Sequence, residues 1–408
     1  MELFRLEHKK LWRKKIVKIC VLLCFVYVVV FGSILSFQWF GFGSTGDYES
    51  SSFGNRFDGY TVIRNSQEYA HSFGGELSDK TLQKLVGDYQ KIDASDMEKQ
   101  LQKTDKFAVN SWLTMLYPEL QETSEDIAMS NWMISYVNPD QLTGFYEKRQ
   151  QTIEDFLELN NQTGKEKDYL MHLEKKVEKP FSYEWVEGWS QLLGSMIGEL
   201  KVVLAFFLAI VLSSLFAGEW HDNTGALVLT TKNGWGKIAR AKILAGLAFT
   251  VELFTICAVF CIISQLFFLG TDGWDMPVQN IKIIAVAPMN MLQAEIYEYA
   301  FSLLGAVGYA GIVMLLSAAV KNNVIALLLS LAVGYGPMVI SDYLPFGLQK
   351  ALDLIPLVGS PTDIFRTNTF HIFGKIIWSP YLLVTVPVLI GIFCLPFAIK
   401  GWAKRMKV

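Results

Sequence analysis

The residues whose types and spacing most clearly indicate a function lie in a polar stretch between two long apolar runs. It reads GEWHDNTGALVLTTKNGWGKIARAKIL and begins at residue 218. HDNTGALVLTT predicts a short helix whose apolar surface includes Leu227 and Leu229, and the glycines of KNGWG predict a sharp reversal. A short helix with exposed apolar residues is shaped to dock in the groove of a partner protein. The chemistry of this stretch is therefore recognition rather than catalysis.

No catalytic or nucleotide-binding motif accompanies it. GFGSTG at 41–46 fits a dinucleotide-binding pattern, but it follows an apolar run instead of a strand, and no βαβ unit surrounds it. The sequence contains no P-loop, no H-E-x-x-H and no G-x-S-x-G. We therefore expect no catalytic residue, no metal site and no bound cofactor. Any work driven by ATP requires a partner ATPase that binds ATP and Mg²⁺.

One ionisable residue lies deep inside an apolar run. Glu252 stands in LAFTVELFTICAVF, several helical turns from the start of that run. A carboxylate in a bilayer is costly, so it must face protein or a wet cavity. Two interpretations are open: Glu252 lines a transport path, or it lies near the inner interface and is hydrogen-bonded to a neighbouring helix.

The polar stretch and Glu252 must be positioned by the apolar segments around them. Six apolar segments of the sequence are long enough to cross a hydrocarbon core of about 30 Å. They are 16–37, 200–217, 243–269, 300–320, 324–340 and 377–399. Backbone groups in lipid must satisfy their own hydrogen bonds, so each block is predicted to be a helix. The first block follows a basic start and lacks a cleavage site, which indicates a signal anchor. The predicted fold class is an all-α polytopic membrane protein with six transmembrane helices.

The distribution of Lys and Arg predicts the orientation of these spans. Positive charges concentrate before span 1, between spans 2 and 3, and after span 6, which lie on one side if there are six spans. That side is predicted to be the cytoplasm of a multi-pass cell-membrane protein with both termini inside. Residues 1–40 then form the basic N-terminus and span 1, and 41–190 form an extracellular domain. Residues 191–408 form spans 2–6, with a cytoplasmic loop at 218–242.

The predicted extracellular domain differs from the rest in charge. Residues 41–190 contain 26 Asp and Glu against 15 Lys and Arg, a net charge of −11, whereas the whole chain has −3. Apolar periodicity predicts helices over 77–92, 151–164 and 167–180, and 60–66 reads as a short strand. About 150 residues can bury a core, so we expect a folded, mainly helical domain. Its charge suits a cationic or amphipathic cargo such as a peptide, although acidity also favours solubility.

The segment PFSYEWVEGWSQLLGSMIGELK joins this domain to span 2. Trp185 and Trp189 recur at helical spacing beside polar residues, and tryptophan favours the membrane–water interface. We expect a helix lying on the outer membrane surface. The alternative is an ordinary helix in the core of the extracellular domain.

The loop between spans 2 and 3 resembles that of type-2 ATP-binding-cassette (ABC) transporter permeases. Members of that family show an acidic residue, a glycine, an apolar run, a reversal and then R..K leading into span 3. The matching residues in this sequence are Glu219, Gly225, Leu227, Leu229, Thr230, Arg240 and Lys242. The six-span layout also matches, and the 41–190 insertion resembles the enlarged outer domains of permeases from Gram-positive bacteria.

The resemblance implies the permease subunit of an ATP-driven exporter. Two permeases, identical or related, would pair with two ATPase subunits, and the loop would transmit ATPase closure to the membrane helices. A peptide, an antimicrobial or another amphipathic molecule is the implied substrate. No feature suggests nucleic-acid binding. The alternative is a membrane sensor or immunity protein that transports nothing and binds a ligand through its outer domain.

Overall fold

The computed structural model describes residues 2–31, 59–91, 106–121, 133–193, 197–222, 224–225 and 236–404. These residues are mostly helical, and five helices are long and apolar enough to cross a membrane. In chain order they are α10 (Ile197–His221), α11 (Lys237–Leu269), α12 (Met291–Ala319), α13 (Asn323–Ser341) and α15 (Ser379–Lys404). The mostly helical structure with five candidate spans is consistent with the predicted all-α membrane protein. The sixth span and the placement of 41–190 outside the cell stay predictions.

Two further helices of the bundle lie at the start of the described residues. The first, α1 (Glu2–Arg13), and the second, α2 (Lys15–Val29), are separated at Lys14, whose backbone is extended. The described part of the predicted first span is mostly α2, which packs against α10 and α11, and its remainder from residue 32 lies outside the described residues. We call the end of the bundle that holds α1, the end of α10 and the start of α11 the basic end.

Glycines of α12 allow close backbone contacts within the bundle. A Cβ added to Gly311 of α12 would lie 2.5 Å from the carbonyl oxygen of Gly391 in α15, and one added to Gly305 would lie 2.7 Å from that of Pro356, in an irregular segment. Small residues let helix backbones approach closely where no hydrophobic effect drives association in lipid. Pro337 lies inside α13, and Pro356 lies in the irregular segment that follows the short helix α14 (Phe346–Leu352).

A separate helical unit, here called the inserted domain, is built from residues 59–193. Its helices are α3 (Gly59–Phe73), α4 (Asp79–Gln90), α5 (Lys106–Leu116), α6 (Met133–Tyr136), α7 (Phe145–Leu159), α8 (Lys165–Glu174) and α9 (Glu187–Gln191). The predicted helix over 77–92 is confirmed as α4, where Ser78 accepts a hydrogen bond from the Thr81 N–H and caps the helix. The predicted strand at 60–66 is wrong: these residues are helical in α3. A helix there buries Ile63 and Ala70 on one face, two turns apart.

The inserted domain packs onto the loop between α11 and α12. Its core cluster includes Trp112 and Phe145, and the same cluster takes in Val278, Met291 and Ala294. Two small antiparallel sheets complete the fold: β1 (Gly75–Glu76) with β2 (Ser182–Tyr183), and β3 (Thr369–Ile372) with β4 (Lys375–Trp378). We call the end of the bundle beneath this domain the inserted-domain end.

Candidate functional site: the charged cluster at the basic end

Three helices converge on one carboxylate at the basic end. Glu219 lies in the last turn of α10, and Lys242 lies in the second turn of α11. The two helices pack side by side, so the residues that flank the connecting loop return to one place. The amphipathic helix α1 packs against α11 and brings Lys10 to the same point, with Leu11 buried beneath it.

Every oxygen of the Glu219 carboxylate is occupied. Oε1 accepts hydrogen bonds from Lys10 Nζ at 2.6 Å and Lys242 Nζ at 2.8 Å, and Oε2 accepts one from Thr224 Oγ1 at 2.7 Å. Lys242 Nζ also donates to Glu7 Oε2 at 2.9 Å. Glu219 is only 6% exposed. Removing one partner of a buried, hydrogen-bonded ion pair leaves the other charge buried without compensation, which is strongly destabilising.

The cluster sets the electrostatics of two lysines in and beside α1. Burial is the largest single influence and lowers the pKa of Lys10, but the hydrogen bond to Glu219 and the negative charges of Glu219, Glu7 and Asp222 together outweigh it and raise that pKa. The pKa of Lys14 is lowered, first by burial and then by the positive charges of Lys242 and Lys10. Lys10 is thus held as a cation by its carboxylate, whereas Lys14 is bound only through its donation to Ser214 Oγ at 3.2 Å.

The structure unites only part of the set that the sequence singled out. Glu219 and Lys242 form the ion pair above, whereas Arg240 is exposed and takes no part in it. Residues two apart on a helix point about 200° apart, so one helix cannot aim both bases at one carboxylate. Gly225 lies against the ring of Trp220, where a Cβ would come within 2.9 Å. The remaining three predicted loop residues, Leu227, Leu229 and Thr230, lie outside the described residues.

No known protein family, curated protein or solved structure matches the chain. The resemblance to ABC permeases therefore stays a prediction.

Glu252 is bonded to a neighbouring helix. Its Oε2 lies 2.9 Å from His8 Nε2 and accepts a hydrogen bond from Trp12 Nε1 at 3.1 Å, both on α1. Trp12 also packs edge-on against Phe249, one turn earlier on α11. These hydrogen bonds agree with the second interpretation in one respect, that Glu252 is bonded to a neighbouring helix, whereas its position near the inner interface stays a prediction. The Glu252 side chain retains 42% exposure, so it is not sealed inside the bundle.

Trp185 and Trp189 are buried inside the protein and do not face a membrane surface. Trp185 is 1% exposed and donates from Nε1 to the Leu269 carbonyl at 2.6 Å, at the end of α11. Trp189 is also buried and donates to the Thr271 carbonyl at 3.2 Å. Their burial favours the alternative interpretation, a segment within the domain core, because both rings fill the joint between the inserted domain and α11.

Sequence reasoning missed a second polar cluster, at the inserted-domain end. Lys201 near the start of α10 and Glu295 and Glu298 at the start of α12 are all buried. The signal was present in QAEIYEYAF, where the two acids are three residues apart and therefore share a helix face. They stand before the apolar run, where exposure is the ordinary expectation, and only the fold shows that the inserted domain covers them.

A third buried charge pair fixes the inserted domain itself. Arg149 Nη1 donates to Glu174 Oε1, while Arg149 Nε and Nη2 donate to the carbonyls of Ile283 and Ala285 at 2.6 and 3.0 Å. Burial would raise the pKa of Glu174, but hydrogen bonds from Lys179 and Arg149 hold it below its ordinary value. This pair anchors the domain on the α11–α12 loop, and no local sequence pattern indicated it.

Proposed function

We propose that this chain is the permease subunit of an ATP-driven exporter and that the Glu219 cluster connects a partner ATPase to the membrane helices. One observation carries the proposal. A buried carboxylate clamps α10, α11 and α1 together where the predicted docking loop leaves the bundle. A force on the loop would therefore move three helices as a unit.

The clamp also reaches the other helices at the basic end. The Trp220 ring, one residue after Glu219, packs against Trp402 of α15 with centroids 5.9 Å apart. Lys321, in the turn between α12 and α13, lies 5.2 Å from the centroid of the same ring. The end of α10 thus contacts α15 and the α12–α13 turn as well as α11. Such contiguous packing is what a transmitted movement needs.

The ATPase itself is expected in separate subunits, since the sequence has no P-loop. Two ATPases and a second permease, identical or related, would complete the transporter.

A cationic or amphipathic peptide is the cargo that the charge distribution supports. The net charge of −11 over 41–190 raises the local concentration of cations. A cavity of about 390 Å³ lies between the inserted domain and the α11–α12 loop, and its charged lining residues are Glu178, Asp275 and Lys176. Binding through these charges would weaken with salt, because the Debye length falls from about 10 Å at 0.1 M to about 3 Å at 1 M.

The decisive experiment targets the docking loop. The tagged full-length protein is purified from its native membranes in mild detergent, and ATP hydrolysis in the eluate is measured. We expect hydrolysis with the wild type and its loss when Leu227 and Leu229 are both changed to Asp. The Leu159→Asp variant, an exposed leucine of the inserted domain, is the matched control and should retain it.

Two outcomes would contradict the proposal. An eluate without ATP hydrolysis, from a wild-type protein that remains folded, would favour the sensor or immunity protein. A double variant that retains full hydrolysis would show that the loop does not bind the ATPase.

A further inference from the structure

Glu295 is a buried carboxylate without a hydrogen-bond partner among the described residues. It is the fifth residue of α12 and is 4% exposed. Neither Oε1 nor Oε2 receives a hydrogen bond within the ranges that the structure describes. An isolated carboxylate charge in an apolar interior is so unfavourable that the group becomes neutral instead. A buried carboxylate of this kind therefore requires either a neighbouring cation or a bound proton.

The neighbouring groups that could serve are already engaged. Glu298, one turn further along α12, accepts a hydrogen bond from the Gly198 N–H at 3.1 Å, in the first turn of α10. A helix N-terminus stabilises negative charge, so that site is occupied by Glu298. Lys201 donates from Nζ to the Gly359 carbonyl at 3.0 Å and stands 4.0 Å from the centroid of the Phe301 ring. Neither the helix end nor the lysine binds Glu295.

The remaining titratable groups offer no cation either. On the elements packed against α12, the titratable and charged groups toward this end include Glu298, Tyr297 and Tyr299 on α12 itself, Glu199 and Lys201 on α10, Cys261 on α11, Glu187 on α9, Asp363 in the 361–365 turn with Arg366 directly after it, Tyr335 on α13 and Tyr381 on α15. The bases in that set are Lys201 and Arg366, and the positive charge of Arg366 acts on Asp353 and Asp363. The described residues also contain no group of His, Cys, Asp and Glu suited to a metal ion. The simplest neutralising cation is therefore a proton.

We propose that Glu295 is a proton-binding site at the joint between the inserted domain and the membrane helices. The carboxyl group is neutral in the conformation described here, and it releases its proton to water when the joint opens. The location supports this coupling. Met291 and Ala294, beside Glu295, belong to the core of the inserted domain, while Ala306 and Tyr309 on the same helix belong to the membrane core. Separation of the domain from α12 would hydrate Glu295 and favour its charged form.

The test uses full-length protein in lipid nanodiscs at neutral pH. Infrared spectroscopy detects the carbonyl stretch of protonated carboxylic acids, and we expect a component of that band in the wild type. The Glu295→Gln variant should lose this component, because the amide keeps the size of the side chain and cannot hold the proton. Glu199→Gln, an exposed glutamate on α10, is the matched control and should leave the band unchanged.

A second measurement compares the pH dependence of stability in the wild type and the variant. The folded protein holds a proton that the unfolded chain releases, so the thermal stability of the wild type should fall as the pH rises from about 4, the ordinary pKa of a glutamate, to neutrality and beyond. The slope should be shallower in Glu295→Gln. A wild-type spectrum without a protonated carboxyl band, or a band that is the same in Glu295→Gln, would overturn the proposal. Recovery of stability at high pH on titration with Na⁺ would overturn it in favour of a metal-cation site.

Discussion

The two ends of the helix bundle treat a buried glutamate in opposite ways. At the basic end, Glu219 receives three hydrogen bonds, two of them from lysines. At the inserted-domain end, Glu295 is equally buried and receives none from the described residues. The residue type and the exposure are the same, so the partners alone distinguish the two sites. A paired carboxylate ties helices together as a clamp, whereas an unpaired one is free to exchange a proton.

The locations of Glu219 and Glu295 also suit them to different roles. The Glu219 clamp joins the end of α10 to the start of α11, the two helices that the loop connects, and is suited to transmit movement between helices. The Glu295 site lies beneath a domain that covers it and is suited to report whether that cover is closed. Three further carboxylates among the described residues, Glu174, Asp363 and Glu252, sharpen this comparison, since each has partners of a known kind.

The largest effect is expected at Glu174, whose partner has no exposure at all. Glu174→Gln leaves the Arg149 guanidinium buried without its carboxylate, and breaking a buried pair costs about 3–5 kcal/mol. The pKa of Glu174 is held below its ordinary value, so its contribution is present above the pKa of a free glutamate and is lost as the pH falls through the lowered value. Tryptophan fluorescence during thermal unfolding of the full-length protein measures both effects. Unchanged stability in Glu174→Gln would show that this pair does not anchor the inserted domain.

A pH effect of the opposite sign is expected at Asp363. Burial raises its pKa to about 6, although hydrogen bonds from Asn368 and Ser379 satisfy its oxygens. The folded state therefore holds the proton more tightly than the unfolded chain, and stability falls as the pH rises from about 4 through about 6. One pKa unit corresponds to about 1.4 kcal/mol, so the full effect is at most about 3 kcal/mol. Thermal unfolding of Asp363→Asn should show a shallower slope than the wild type over this range, and an identical slope in both proteins would contradict the assignment.

The smallest effect is expected at Glu252, which is paired but remains partly exposed. Glu252→Gln keeps an acceptor for Trp12 Nε1 and removes only a charge that water screens, so stability should change by less than about 1 kcal/mol. Trp12→Phe is the companion variant, because it removes the hydrogen bond and keeps an aromatic contact with Phe249. If Glu252→Gln alters ATP-driven transport while stability is unchanged, the interpretation of Glu252 as a path residue returns.

The sequence predicted the membrane helices well because lipid imposes one rule on every residue of a span. The apolar block 243–269 corresponds to α11, and the block 324–340 corresponds to α13, within a turn or two of their ends. Helix α12 begins at Met291, nine residues before its apolar block at 300–320, because the inserted domain covers its polar start. A hydropathy profile cannot detect this burial, because the burial comes from residues that are distant in sequence.

The candidate site was predictable only in part. The sequence indicated Glu219 and Lys242 as members of one loop, but their contact depends on two helices packing side by side, and Arg240 of the same set points elsewhere. The role of α1 could not be predicted from its basic composition. Lys10 and Trp12 reach their carboxylates only because α1 packs along α11, more than 200 residues away in sequence.

The central claim is that the Glu219 clamp transmits ATPase movement, and hydrogen–deuterium exchange tests it most directly. The protein is purified with its bound ATPase, and amide exchange in α10 and α11 is compared with and without ATP for wild type, Glu219→Gln and the exposed control Glu199→Gln. We predict an ATP-dependent change in wild type and Glu199→Gln that is lost in Glu219→Gln, although the ATPase remains bound. An equal ATP-dependent change in Glu219→Gln would contradict the claim.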